Sequence, residues 1–205
     1  MTTPKLSVQT PYGRLYRLPE DVTEGTPDYQ QLLHEGKVFP SVTNVIDIAN
    51  KPYLKVWAAK LAAKAAVDAA LAYPERIPAN PQGAVAWAAA EHERVLSEAA
   101  KLGDTVHNIC EDLANGKPRP AGLDSLVSSY VDSFDKFCND FQPEFLRTEA
   151  TIFGDAAFDD LTPLRYAGTA DFIAKVNGRV LVGDHKTGKN VYDSAAQQVG
   201  ALANG

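Results

Sequence analysis

The spacing of apolar residues changes from a helical period to a strand period near residue 143. From about residue 40 to that point, after an N-terminal segment of short strands and turns, apolar side chains recur every three or four positions, which predicts amphipathic helices. After it they alternate with polar residues, which predicts strands. The predicted elements are strands at Leu6–Thr10 and Arg14–Leu18, a short helix opening at Pro40–Ile46, helices at Leu54–Ala72, Ala84–Lys101, Asp104–Ala114 and 122–141, a strand at Phe145–Phe153, a hairpin at Ala170–Lys186 and a helix starting near Asp193.

Two of the predicted helices carry clear apolar stripes. The stripe of the first contains Leu54, Trp57, Leu61 and Ala65, and that of helix 122–141 contains Leu126, Tyr130, Phe134, Phe137 and Phe141. The helical period accounts for these residues, so we predict that they belong to the core and not to a base-stacking platform. Lysines flank the first stripe on both sides. This favours an ordinary solvent-exposed helix surface over a row of lysines that binds nucleic-acid phosphates, by about two to one.

The last hairpin is the most informative segment. Asn177-Gly178 between alternating apolar residues predicts a two-residue type I′ turn, which fixes the register of both strands. If Val176 pairs with Arg179, then counting outward places Asp171 directly opposite Asp184. Like charges in directly opposed positions destabilise a sheet unless something neutralises them. A divalent cation is the simplest neutraliser.

Side chains two positions apart share a face of a strand, so Lys186 lies on the same face as Asp184. Carboxylate ligands suit Mg²⁺ or Mn²⁺, and a lysine beside such a cation can stabilise an attacked phosphate or hold the attacking water. The alternative is an ordinary surface strand with a cross-strand Asp–Lys pair. Because two aspartates oppose each other, a metal-binding site is favoured over an ordinary surface strand by about three to one.

Two further side chains could join this site. Glu149 lies in the predicted strand Phe145–Phe153, and a solvent-facing role for it is about equally supported. His107 lies one helical turn before Glu111, where a hydrogen-bonded helix histidine is favoured over a metal ligand by about two to one. The spacing alone leaves both alternatives open.

Composition narrows the class of protein. The 205 residues suit one domain with an ordinary core, at 45% hydrophobic and 22% charged residues. A formal net charge of −6 means that nucleic-acid binding would require a local basic patch. Two isolated cysteines fit a reducing compartment and exclude a four-cysteine zinc or iron–sulfur site within this chain. No apolar run approaches transmembrane length and no signal-peptide core is present, so we expect a cytoplasmic protein without membrane contact.

Taken together, the motifs resemble the PD-(D/E)XK nuclease superfamily, in particular its RecB-like and CRISPR-associated-exonuclease-like members, which are common in phage genomes. The likeness spans about residues 40–205 and keeps the order of the motifs. The matching segments are Pro40-Ser41-Val42-Thr43, Trp57-Ala58-Ala59-Lys60, Gly103-Asp104-Thr105-Val106-His107, Gly168-Thr169-Ala170-Asp171, Gly183-Asp184-His185-Lys186-Thr187-Gly188-Lys189, Tyr192 and Gln198.

The resemblance implies a role for each matched residue. His107, Asp171, Asp184 and the backbone carbonyl of His185 would bind one or two Mg²⁺ or Mn²⁺ ions, and Glu149 would line the site. Lys186 would position or activate the attacking water. Gln198 would contact DNA or the surroundings of Lys186, with Lys189 and Tyr192 as further supporting or DNA-binding residues.

The implied fold is a restriction-endonuclease-like core sheet flanked by helices, an α/β (α+β) architecture with a helical N-terminal half. We expect an N-terminal strand and turn segment at 1–40 and one nuclease-like domain at 41–205, helical over 41–142 and carrying sheet and motifs over 143–205. Relatives usually extend further, so we expect this domain to be incomplete at its C-terminus.

The implied activity is metal-dependent exonuclease action on single- or double-stranded DNA ends in recombination, repair or phage DNA metabolism, with a possible recombination or replication partner protein. The alternatives are a catalytically silent DNA-binding or assembly module with the same fold and an endonuclease of the same superfamily.

Two departures from the family pattern matter. Ala170 stands where the superfamily's name has proline, and Gln198 is followed by Val199-Gly200-Ala201-Leu202, where the family usually has Q-L-x-x-Y, with Gln197 as a competing assignment.

Overall fold

The computed structural model is a mixed α/β protein, which confirms the predicted class at that level. It describes residues 6–10, 13–18, 31–32, 35–47, 51–156, 164–188 and 190–205. In chain order the elements are β1 (Ser7–Thr10), β2 (Gly13–Arg17), β3 (Val38–Pro40), α1 (Val42–Asp47), α2 (Pro52–Ala72), α3 (Arg76–Ala79), α4 (Pro81–Ala89), α5 (Glu91–Ala114), α6 (Ser125–Phe141), β4 (Glu144–Ala156), β5 (Leu164–Val176), β6 (Arg179–Gly183) and α7 (Asp193–Ala203).

The chain divides into two compact units. The first unit contains residues 1–48 and 106–205, and the second contains residues 49–105, so the boundary falls inside α5. The first unit holds two antiparallel sheets, ordered β1-β2-β3 and β4-β5-β6. The second consists of α2, α3, α4 and the first part of α5. None of the helices in the described ranges is both long enough and apolar enough to cross a membrane.

The predicted hairpin is confirmed. Val176 pairs with Arg179, and the turn residues Asn177 and Gly178 have φ values of 49° and 80°. A type I′ turn requires positive φ at both positions, and the Asn-Gly sequence adopts that conformation at little cost. The ladder continues outward to the pair Phe172–Gly183, beyond which Asp171 and Asp184 are the next two facing positions.

The helix boundaries differ from two predictions. The predicted bounds of the helices Ala84–Lys101 and Asp104–Ala114 are wrong. Helix α4 ends at Ala89, and α5 runs from Glu91 to Ala114 without a break at Gly103. One glycine costs a helix only about 1 kcal/mol, which the remaining turns of α5 offset. The predicted elements left the proline-rich stretch between Ala72 and Ala84 without a helix, but this stretch contains α3. Pro78 lies within the first turn of that short helix, where no backbone N–H is needed.

The apolar stripes are buried only in part. Phe134 is buried in the middle of α6, but Leu126 and Phe141 near its ends are 52% and 48% exposed. In α2, Ala65 is buried whereas Leu54 in the first turn is 45% exposed. The prediction of a fully buried core was therefore wrong for Leu54, Leu126 and Phe141. A periodic pattern identifies the apolar face of a helix but not how far its packing partners extend along that face.

Helices α1 and α7 pack on β5 around a small buried cluster. Its members are Val42, Tyr166, Ala170 and Leu202. The Tyr166 hydroxyl donates a hydrogen bond to the carbonyl of Ala201 at 2.9 Å, which ties α7 to the strand. The Ser41 hydroxyl accepts a hydrogen bond from the backbone N–H of Asn44 at 3.1 Å, so Ser41 caps the N-terminus of α1. This packing fixes α7, which carries Gln198, beside the hairpin.

We predict that Gly168→Ala destabilises this packing. A Cβ at Gly168 would lie 2.8 Å from Leu202 Cδ2 and 2.9 Å from Val42 Cγ1, and both of those side chains are buried. We expect the free energy of unfolding to fall by about 1–3 kcal/mol, measured by urea denaturation.

The matched control is Gly200→Ala in α7. A Cβ at Gly200 meets nothing within 4 Å, so the higher helix propensity of alanine should leave stability unchanged or raise it by up to about 1 kcal/mol. Equal effects of the two substitutions would show that α7 does not pack closely on Gly168.

Candidate functional site

The candidate site lies where β6 ends. Asp184 follows Gly183 directly, and a Cβ at Gly183 would overlap the ring of Phe172 on the neighbouring strand. Glycine therefore allows the Phe172 ring to cross the end of β6. The chain then leaves the sheet with Asp184 beside Asp171.

The carboxylate of Asp171 is held by two donors. Its Oδ1 lies 3.2 Å from Nδ1 of His107 on α5, and its Oδ2 accepts a hydrogen bond from the backbone N–H of His185. The side chain is 12% exposed, and burial alone would raise its pKa. The two hydrogen bonds outweigh burial and lower the pKa of Asp171 below its ordinary value. In turn, the bond to Asp171 raises the pKa of His107 despite partial burial.

The carboxylate of Asp184 is held by two other side chains. Its Oδ1 accepts a hydrogen bond from Nε2 of Gln198 at 3.0 Å, and its Oδ2 forms an ion pair with the ammonium group of Lys186. The ion pair lacks hydrogen-bond geometry, so Oδ2 is a buried oxygen without a hydrogen bond among the described residues. The Asp184 side chain is only 4% exposed. Lys186 Nζ also lies 3.5 Å from Oε1 of Gln198, so Gln198 contacts both members of the pair.

Glu149 lies close enough to this site to interact with it electrostatically. In β4, Thr148 pairs with Phe172 and Ala150 pairs with Ala170, so Glu149 falls opposite Asp171. Partial burial and the carboxylates of Asp171 and Glu111 raise the pKa of Glu149, although the residue as a whole is exposed. Its φ is 47°, an uncommon conformation for a residue with a side chain.

The sequence did not single out Glu111 or Tyr130 as site residues. Glu111 lies one turn after His107, and its Oε1 is 3.4 Å from the hydroxyl of Thr148 beside Glu149. The Tyr130 hydroxyl donates a 2.7 Å hydrogen bond to the carbonyl of Thr187, directly after Lys186. The helical spacing of Glu111 from His107 was a usable signal. Nothing in the sequence relates Tyr130 to Thr187.

Three predicted supporting residues have different outcomes. Gln198, and not Gln197, bonds to Asp184, which resolves the ambiguity between the two glutamines. Tyr192 is exposed just before α7 and makes no hydrogen bond to the site residues within the described part of the chain. Lys189 lies outside the described residues.

The ring of His185 lies in an aromatic cluster. Its ring centroid lies 5.1 Å from that of Phe134, 5.3 Å from that of Phe172 and 5.4 Å from that of His107. Burial lowers the pKa of His185, which favours the neutral imidazole.

The two aspartates are thus compensated within the chain, by His107 and by Lys186. In the described ranges, no three His, Cys, Asp or Glu side chains converge as a metal-binding group.

Burial raises the pKa of Cys110 to about 12, so its thiol is not activated as a nucleophile. A cavity of about 660 Å³ in the second unit, near Tyr73 and Trp87, contains none of the predicted site residues.

We predict that the titration of His107 reports its contact with Asp171. In EDTA, the His107 ring should titrate above 6.5, and Asp171→Asn should lower its pKa, as followed by the NMR shift of the ring protons. Because folding raises the pKa of His107, its protonated ring stabilises the folded state. This stabilisation is complete below about pH 6.5, and it is lost as the pH rises through the pKa of His107 in the folded protein. The control Glu98→Gln, an exposed carboxylate more than two turns earlier on the same helix, should leave the pKa of His107 unchanged, and an unchanged titration in Asp171→Asn would contradict the contact.

The comparisons with known proteins give no match. No family model and no curated protein matches the sequence, and no solved structure matches the fold. The function proposed below is therefore argued from the residues and geometry of this chain, together with the resemblance of its motifs.

Proposed function

We propose that this chain is a metal-dependent nuclease of the PD-(D/E)XK type that hydrolyses phosphodiester bonds at DNA ends. One observation carries the proposal. Side chains from three separate parts of the chain meet at the end of the hairpin. His107 contacts Asp171, and Asp184 contacts Lys186 and Gln198. The backbone N–H of His185, between Asp184 and Lys186 in the chain, joins the two groups through its hydrogen bond to Asp171. These are the residues on which the resemblance rests. The proposal includes a restriction-endonuclease-like arrangement in which β4, β5 and β6 belong to the core sheet.

The donor atoms suit a hard divalent cation such as Mg²⁺ or Mn²⁺. Asp171 and Asp184 would hold it with His107, and Glu149 and the His185 carbonyl are further oxygen donors nearby. The buried Oδ2 of Asp184, which has a cation beside it but no hydrogen bond, supports this assignment. When bound, the cation would stabilise charge on the attacked phosphate and lower the pKa of a coordinated water.

The other residues would position the reacting groups. Lys186 carries a positive charge at the edge of the site, where it can hold an anionic phosphate or a water. Gln198 contacts both Lys186 and Asp184 and would keep the ammonium group in place. Tyr130 restrains the chain just after Lys186 through its bond to Thr187. Each of these contacts limits the motion of the lysine.

A second candidate function is a catalytically silent DNA-binding or assembly module. The observation that favours it is the internal compensation of both aspartates, by His107 and Lys186. A site already neutral in this way does not require a cation for stability.

The proposal predicts that Lys186→Ala abolishes DNA cleavage. With Mg²⁺ or Mn²⁺, wild-type protein should shorten end-labelled linear DNA, and EDTA should stop it. Loss of a group that positions or activates water typically costs about 10²–10⁴-fold, so we expect a loss of at least about 100-fold in initial rate.

The control is Lys175→Ala, an exposed lysine on β5, which should cleave at the wild-type rate. Thermal unfolding of both variants separates lost activity from lost folding. Wild-type protein that binds DNA ends but leaves single- and double-stranded DNA intact would overturn the nuclease proposal. If Lys186→Ala then binds those ends equally well, the silent module is favoured.

A separate prediction compares the two neighbouring glutamines. Gln198→Ala removes the contacts with Asp184 and Lys186, so we expect about a 10-fold to 100-fold loss of cleavage rate, the range typical of residues that orient a metal ligand. Gln197→Ala, at an exposed position on the same helix, should behave as wild type. Equal losses in the two variants would contradict a positioning role specific to Gln198.

A further inference from the structure

A cavity of about 250 Å³ lies beside the candidate site, between α6 and the end of the hairpin. Five of its ten lining residues are aromatic: Tyr130, Phe134 and Phe137 on α6, and Phe172 and His185 on the hairpin side. Ser133 also lines it, at an exposed position on α6. The cavity belongs entirely to the first unit.

The same cavity is bounded by Asp184 and Lys186. These two residues form the ion pair of the candidate site, so the aromatic wall and the charged site are continuous. A molecule that places an anionic group at the Lys186 ammonium can therefore place an attached ring in the cavity. The Lys186 side chain is 38% exposed, which leaves its charge accessible from solvent.

Size and chemistry limit what the cavity can accept. Its volume is below the about 300–1,000 Å³ of pockets for drug-sized ligands, so it suits a single planar ring system. Its rings can stack against the ligand or meet it edge to face. The Phe134 and Phe172 rings already contact His185 in this way, with centroids 5.1 and 5.3 Å away.

Tyr130 and Phe137 belong to the apolar stripe that the helical period assigned to the core and not to a base-stacking platform, but both are only partly buried and line this cavity. We propose, against that expectation, that the cavity binds the nucleobase of the nucleotide whose phosphate lies at Lys186. The inference rests on the proposed function and extends it, because it assigns the substrate a base-binding subsite. Stacking on aromatic side chains tolerates every base, since each base has a π-face. The subsite therefore recognises the presence of a base and does not read its identity.

The test is an NMR titration of the full chain with small probes in the presence of MgCl₂, which measures the affinity for each probe. The probes are deoxyadenosine 5′-monophosphate and 2-deoxyribose 5-phosphate, which differ only in the base. Base stacking is worth about 1–3 kcal/mol, so wild-type protein should bind the nucleotide at least about fivefold more tightly.

Ser133→Phe should fill the cavity and remove this preference. Its matched control is Ser129→Phe, the same substitution one turn earlier on α6, at an exposed position that does not line the cavity. The control should keep the preference. Phe137→Ala, which removes one aromatic wall, provides a second variant and should weaken nucleotide binding while leaving binding of the sugar phosphate unchanged.

The outcomes separate this inference from the nuclease proposal. Equal affinity for the two probes, including no measurable binding of either, overturns the base subsite even if DNA is cleaved. A preference that persists in Ser133→Phe and in Phe137→Ala also overturns it. A preference lost in both variants and kept in Ser129→Phe supports the subsite, and DNA that then stays intact overturns only the nuclease proposal.

Discussion

Two buried carboxylates on neighbouring strands impose the constraint on which the rest of this structure depends. Asp171 lies within β5 and Asp184 directly follows β6, each next to the last pair of the β5–β6 ladder, Phe172–Gly183. Their side chains are 12% and 4% exposed. Burying one charge without a partner costs several kcal/mol, and two like charges in opposed positions repel each other. The fold brings a compensating group to each. His107 arrives from α5, and Lys186 comes from the chain directly after Asp184.

This arrangement also brings side chains from three helices of the first unit to the candidate site. Helix α5 supplies His107, α7 supplies Gln198, and α6 restrains the loop after Lys186 through Tyr130. Helix α7 can reach the site because Gly168 lets Leu202 approach β5 closely. Packing of the core and placement of the polar groups are therefore coupled, since a shift of α7 would move Gln198 away from both Asp184 and Lys186.

The predictable part of the site was the part set by local sequence. Asn177-Gly178 fixes the turn, the turn fixes the register, and the register brings Asp171 beside Asp184. The partners of these aspartates were not derivable from spacing. His107 lies more than sixty positions before Asp171, and only its resemblance to a family motif suggested the contact. The sequence suggested a cation as the neutraliser, whereas the structure pairs the aspartates with His107 and Lys186. The exposed ends of the α6 stripe have a similar cause, because periodicity records which face is apolar but not what covers it.

Glu149 shows why the compensation at the site is incomplete. It lies opposite Asp171 in the β4–β5 register, and a left-handed conformation such as its φ of 47° costs a residue with a side chain about 1–3 kcal/mol. Its carboxyl is also repelled by Asp171 and Glu111, with only His107 and Arg14 opposing, so its pKa is raised. Glu149 therefore has both a strained backbone and an unfavourable charge, whereas the two neighbouring aspartates are each paired with a basic side chain. Glycine at this position would relieve both the backbone strain and the charge repulsion, whereas Glu149 carries both costs beside the candidate site.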